Sequence, residues 1–294
     1  MKYVYSTEKL LTLLRSSEKD ANAASPFRSL MTLNKETQAA ALTQEQQLLA
    51  AFALTPERTL VLGRSSAADG ELYLLNIGAM WYLYTWLEAQ DCHVFEAYFD
   101  RPRLLKLLQK NFCAYYRPNF AAFTQLDLRL TGEEFLVWNL IRALYASRVR
   151  NKGVGNNDSF LADDLKSADL ALYLRNYLDE LGLESTSRAI DRLMEERHHD
   201  AMDNALKGLE GKGVLTPDVA GLSHDSAYRL SRTALERMDD GMLTDTLWYA
   251  DRTDPEKTRE ILLCLRRDGV LAIVPTEGDV LLRSFPECPW EDLI

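Results

Sequence analysis

The apolar positions of this chain alternate between two periods. In "STEKLLTLLRS", Leu10, Leu11, Leu13 and Leu14 recur at helical spacing behind a start signal at Ser6 or Thr7. Thr43 with Gln46, ahead of "LLAAFAL", and Thr131 with Glu134, ahead of "FLVWNLIRALYASR", have capping-box spacing. In such a pair each side chain accepts a backbone N–H that the first turn leaves unpaired. The pattern predicts further helices over 101–111, 160–181 and 187–209, and one opened by Ser223 over "HDSAYRLSRTALERM". Two groups of period-2 or wholly apolar runs predict strands: 58–63, 71–77, 80–87 and 92–98, then 243–250, 258–264, 270–274 and 280–285. Turn material separates them, with Asp268-Gly269 the stronger and Glu277-Gly278 the weaker hairpin signal.

The two groups read as one unit written twice. A shift of 187 lays "WYLYTWLEAQDCHVFEAYF" (residues 81–99) over "DGVLAIVPTEGDVLLRSFP" (268–286) without a gap, and "LVLGR" (60–64) over "LWYAD" (247–251). Tyr84 then meets Leu271, Trp86 meets Ile273 and Phe95 meets Leu282. A shift of 125 lays "YVYSTEKLLTLL" (3–14) over "LRLTGEEFLVWN" (128–139). The expected fold class is α+β: a pseudo-two-fold duplicated unit of antiparallel β-meanders flanked by helices, with a helical insert in the second half. The first copy covers 1–122, the second 123–294 with its insert at about 150–212, and the whole packs as one compact domain.

The glycines of "ALKGLEGKGVL" (205–215) fit three roles: a phosphate or KH-type clamp, the recognition helix of a winged helix, or a helix stop. A phosphate loop needs a strand before it and a helix after it, and here a helix comes before. Gly213, ahead of apolar Val214, suits a left-handed helix end.

Composition narrows the chemistry. The chain has 294 residues and a formal net charge of -10, with no basic run to track phosphates, so no nucleic-acid partner is expected. Four scattered cysteines without a CxxC pair suit a reducing cytoplasm. The first residues lack a signal-peptide core, and no apolar run reaches the roughly 20 residues of a membrane span, so no membrane insertion is expected. His198-His199 among Glu195, Glu196 and Asp200 reads as a solvated helix face rather than a metal site. Cys92 and His93, as strand neighbours, point to opposite faces and read as a strand with one buried cysteine. No nucleophile elbow, Walker loop or dinucleotide fingerprint is present, and no catalytic residue, metal or cofactor is assigned.

The stretch "AMWYLYTWLEA" (79–89) is greasy on both faces, with Trp81, Leu83, Thr85 and Leu87 on one and Tyr82, Tyr84 and Trp86 on the other. Either helices cover both faces, or one is kept for a partner, for which tyrosine and tryptophan are suited.

The layout of "STEKLLTLL" and "TGEEFLVWN", then "ALKGLEGKGVL", then "REILLCLRRDGVLAIVPTEGDVLLRSF", resembles the EspG-like chaperones of type VII secretion, or a related uncharacterised family of Firmicutes secretion clusters. The resemblance is one of architecture and covers most of the chain. It implies a non-enzymatic cytoplasmic chaperone that binds a helical protein partner, such as a secretion substrate. Partner contact through sheet residues and an adjoining loop points to Tyr82, Tyr84 and Trp86 with Arg64, Ser65, Ser66 and Asp69. Two other readings stand beside it: a regulatory adaptor with a winged-helix segment near 200–215, and an enzyme of unknown type.

Overall fold

The computed structural model describes residues 2–17, 19–32, 41–64, 71–98, 100–114, 116–123, 125–141, 159–161, 199–217, 227–231, 243–254, 259–276 and 278–294. Among these the helices are α1 (Thr7–Ser16), α2 (Arg28–Met31), α3 (Gln44–Leu54), α4 (Arg101–Cys113), α5 (132–141), α6 (His199–Gly211) and α7 (Trp290–Leu293). The strands are β1 (Lys2–Tyr5), β2 (Arg58–Arg64), β3 (Leu72–Ile77), β4 (Met80–Leu87), β5 (Cys92–Tyr98), β6 (Asp127–Thr131), β7 (Ser159–Leu161), β8 (Leu215–Pro217), β9 (Ala227–Leu230), β10 (Leu243–Asp251), β11 (Arg259–Arg266), β12 (Gly269–Pro275) and β13 (Asp279–Phe285). The chain divides into two compact units, Met1–Tyr116 with Asp245–Leu263 and Cys288–Ile294, and Arg117–Thr244 with Cys264–Glu287.

In the first unit the strands run β1-β5-β4-β3-β2-β10, each pair antiparallel. Leu10, Leu13 and Leu14 of α1 and Leu49, Phe52 and Leu54 of α3 bury one face of this sheet against Tyr82, Tyr84 and Phe95. Removing such side chains from water contributes about 1.5–3 kcal/mol each, far more than helix propensity supplies. The capping box predicted at Thr43 forms: the Thr43 N–H donates to Gln46 Oε1 at 2.9 Å, and the Gln46 N–H donates to Thr43 Oγ1 at 3.3 Å. On the opposite sheet face Trp81 and Leu83 are buried, and α4 packs on β4 and β5.

In the second unit β12, β13 and β6 pair antiparallel. The predicted cap of α5 forms as well, the Thr131 N–H donating to Glu134 Oε2 at 2.8 Å. α6 stops as a glycine-terminated helix: Gly213 sits at φ +71°, and the Val214 N–H donates to the Leu209 carbonyl at 2.9 Å. Gly208 has a different reason, because a Cβ there would lie 2.0 Å from Glu134 Oε1, whose carboxylate also pairs with Lys212.

The duplicated layout is visible element by element. Shifted by 187, Cys92–Tyr98 becomes 279–285, the bounds of β13; shifted by 125, Thr7, the first residue of α1, becomes 132, where α5 begins. Strand order repeats too, β1-β5-β4 in the first unit and β6-β13-β12 in the second. One detail departs from the gapless shift. Tyr84 faces Phe95, but Leu282 faces Ile273 rather than Leu271. The second hairpin pairs two residues further along, and a slip of two keeps every side chain on its face.

The expected insert at about 150–212 contains one short strand, β7, whose sheet partners follow the insert. Residues 160–161 and 227–230, expected in helices, belong to β7 and β9, and with β8 these strands form a small antiparallel sheet in the order β7-β9-β8. Strands this short complete too little of a period to be separated from a helical pattern. The remainder of the predicted helices at 160–181, 187–209 and after Ser223, outside α6, β7, β9 and Ser231, lies outside the described residues, as does His198.

Candidate functional site

The aromatic strand answers its own question residue by residue. Tyr82 and Tyr84 are 3% and 5% exposed, packed in the helix-covered core, and offer no surface in this fold; the expectation that they face a partner is corrected by that burial. Their phenols titrate high, Tyr82 at about 12 and Tyr84 higher still, burial being the main cause for both. Cover ends before the strand does. Trp86 is 45% exposed and Leu87 39%, and Val4 on edge strand β1 is 54% exposed. Register sets Val4 beside Val94 and Val94 beside Thr85, with Leu87 beside Cys92 in the next row, while Trp86, beside His93, points to the other face. The end of β4 therefore leaves Trp86 and Leu87 open on opposite faces, and β1, which pairs with β5, is the last strand of the sheet among the described residues.

A polar chain running from buried Tyr84 and His93 out to exposed Asp91 holds this end in place. His93, not Cys92, is the buried member of the pair; Cys92 is half-buried. Tyr84 Oη lies 2.9 Å from His93 Nδ1, and His93 Nε2 lies 2.9 Å from Thr7 Oγ1. Thr7 in turn donates its hydroxyl proton to Asp91 Oδ1. Asp91 can only accept, so the hydrogen-bond network assigns one direction: Tyr84 to Nδ1, Nε2–H to Thr7, Thr7 to Asp91. Burial lowers the His93 pKa, against a weaker opposing pull from Asp91, and the imidazole is neutral near pH 7. A hydroxyl beside an imidazole is half of a nucleophile–base pair. Here the imidazole gives its proton to Thr7 and the Thr7 proton goes to Asp91, so the chain ties the start of α1 to the hairpin rather than activating an oxygen. The Trp86 indole stacks on the His93 ring, centroids 5.8 Å apart and planes within 3°. An exposed side chain thus rests on a rigid footing.

Arg64 has an internal role. Its Nη2 donates to the carbonyls of Asn111 and Phe112 at 2.9 and 3.1 Å, capping the C-terminal end of α4, and its Nη1 lies 3.5 Å from Asp245 Oδ2. Ser65, Ser66 and Asp69 lie outside the described residues. Sequence reasoning took Thr7 only as a helix start and His93 only beside Cys92, and missed Asp91; Thr7 stands 84 residues from Asp91 and 86 from His93, and no motif joins them. Among the described residues no group of three or more histidines, cysteines or carboxylates is placed to hold a metal ion, and no helix is long and apolar enough to cross a membrane.

No protein-family model matches the chain, and no curated protein does. Among solved structures it is similar to the type VII secretion system chaperone EspG5 of Mycobacterium tuberculosis in complex with a PE25-PPE41 dimer, with 9% identity, a TM-score of 0.44, and coverage of 97% of this chain and 92% of that one. A likeness of that depth carries no argument about function.

Proposed function

We propose that the protein is a non-enzymatic binding protein that shelters an apolar helical segment of a protein partner, as a chaperone of a type VII-like secretion system does. The supporting observation is that Trp86 and Leu87 at the end of β4, with Val4 on β1, are exposed while Tyr82, Tyr84 and Phe95 are buried. Exposed tryptophan on a rigid base is the kind of anchor that dominates binding energy. The twice-used α+β wiring, with its strand–Ser/Thr–helix opening, is what ties the reading to secretion chaperones. The test is co-purification with small helical proteins encoded beside the gene. Trp86→Ser with Leu87→Ser should leave the circular dichroism spectrum unchanged and lose the partner. Partner capture undiminished in that variant would overturn the site.

A second reading is favoured by one specific arrangement in the second unit. α6 runs into β8, and β9 lies between β8 and the earlier β7, with the Ser231 N–H donating to the Val214 carbonyl at 2.9 Å. A helix followed by a two-stranded ribbon on a third strand is winged-helix wiring. The exposed positions of α6 that such a module would offer include Asp203, Lys207 and Glu210, a mixed and not a basic face. This wiring therefore suits a regulatory contact with protein better than one with phosphates. DNA retention that weakens steeply with salt would speak for nucleic acid instead.

A further inference from the structure

We propose that Cys113 and Cys288 are a reversible redox pair, which a low-molecular-weight disulfide such as oxidised glutathione converts to an intramolecular disulfide fastening the approach of α7 to the end of α4. The two sulfurs lie 3.1 Å apart. A disulfide bond is about 2.05 Å long, so a movement of about 1 Å closes it. Cys113 is the last residue of α4 and is buried; Cys288 is half-buried, two residues ahead of α7.

The backbones on either side are already fixed to each other. Trp290 is buried, its Nε1 donates to Gln109 Oε1 at 3.1 Å, and its ring lies 6.0 Å from that of Phe112. Arg101 also donates to the Glu291 carbonyl. Closure therefore needs side-chain rotation rather than movement of an element.

The Cys113 pKa is lowered, first by a hydrogen bond from Cys288 and further by the Trp290 side chain and the Arg64 guanidinium, with burial opposing. Exchange follows in two steps. Cys288, the more accessible of the two, gives its proton to the solvent and as the thiolate attacks one sulfur of oxidised glutathione, forming a mixed disulfide and releasing one glutathione thiolate. The Cys113 thiolate then attacks the Cys288 sulfur, forming the internal disulfide and releasing the second. Two protein thiols are oxidised, one small disulfide is reduced to two thiols, and the protons pass to the solvent. In a reducing compartment such a pair is transient and responsive rather than structural. This proposal does not rest on the chaperone reading.

The test is alkylation and peptide mapping, under non-reducing conditions, of the full chain equilibrated in glutathione buffers. The expected result is a Cys113–Cys288 linked peptide in monomeric protein, with Cys92 and Cys264 still alkylated, reversal by dithiothreitol, and a melting transition raised by oxidation. Cys113→Ser should instead hold glutathione on Cys288, and Cys288→Ser should leave Cys113 unmodified. Four alkylatable thiols after excess oxidised glutathione, a link that forms only between chains, or a link through Cys92 or Cys264 would each overturn the proposal. The map of the unmutated chain decides it even where a serine variant fails to fold.

Discussion

His93 is held neutral among a tyrosine, a threonine and an aspartate, and that sets a pH signature. Burial lowers its pKa below the ordinary 6.5, so the folded chain takes up this proton at lower pH than the unfolded chain does. Its contribution to stability is complete above pH 6.5 and falls as pH drops through that value toward the folded pKa. Urea unfolding at pH 7.5, 6.5 and 5.5 should show this loss, and His93→Gln should flatten it; equal slopes for the two proteins would refute the account. Gly63 is a second single-residue constraint. A Cβ there would lie 2.3 Å from Trp248 Nε1, directly across the β2–β10 pairing. Gly63→Ala should cost about 1–3 kcal/mol through overpacking, measured as a shift of the urea midpoint, and shortening Trp248 in the same chain should recover much of it.

Local rules worked best for whole elements. Both predicted capping boxes are present, and β4 and β5 fall on their predicted bounds, because long period-2 or apolar runs between turn residues leave few alternatives. Thr43→Ala removes one side of a box at an exposed helix start and should cost about 0.5–2 kcal/mol, while Gln46→Ala costs less; a Thr43→Ala chain as stable as the parent would show that tertiary packing alone sets α3. β7 and β9 were illegible for the converse reason. Three or four residues become a strand only through a partner, and the partner of Phe160 is Tyr228, 68 positions away.

For the molecule as a whole, sequence halves and compact units do not coincide. Asp245–Leu263 and Cys288–Ile294 belong with the first unit, where β10 pairs with β2 and α7 rests on α4. A fragment ending at residue 122 would leave β2, with Leu60, Val61 and Leu62 fully buried in the intact chain, as a bare apolar edge. It should aggregate or lose amide dispersion by NMR while the full chain stays folded. A well-dispersed, monomeric 1–122 fragment would show that the first copy is self-sufficient.

The sequence alone determined the α+β class, most strand and helix positions, the helix stop at Gly213 and the doubled layout, because periodicity, caps and turns are local and each repeats at a constant offset. Tertiary structure decided what chemistry those elements meet. It buried Tyr82 and Tyr84 but stopped short of Trp86, turned Arg64 into a helix cap, threaded His93 between Tyr84 and Thr7, and set Cys113 against Cys288. These outcomes depend on where helices end over a sheet and on contacts between distant residues, and neither leaves a local pattern to read.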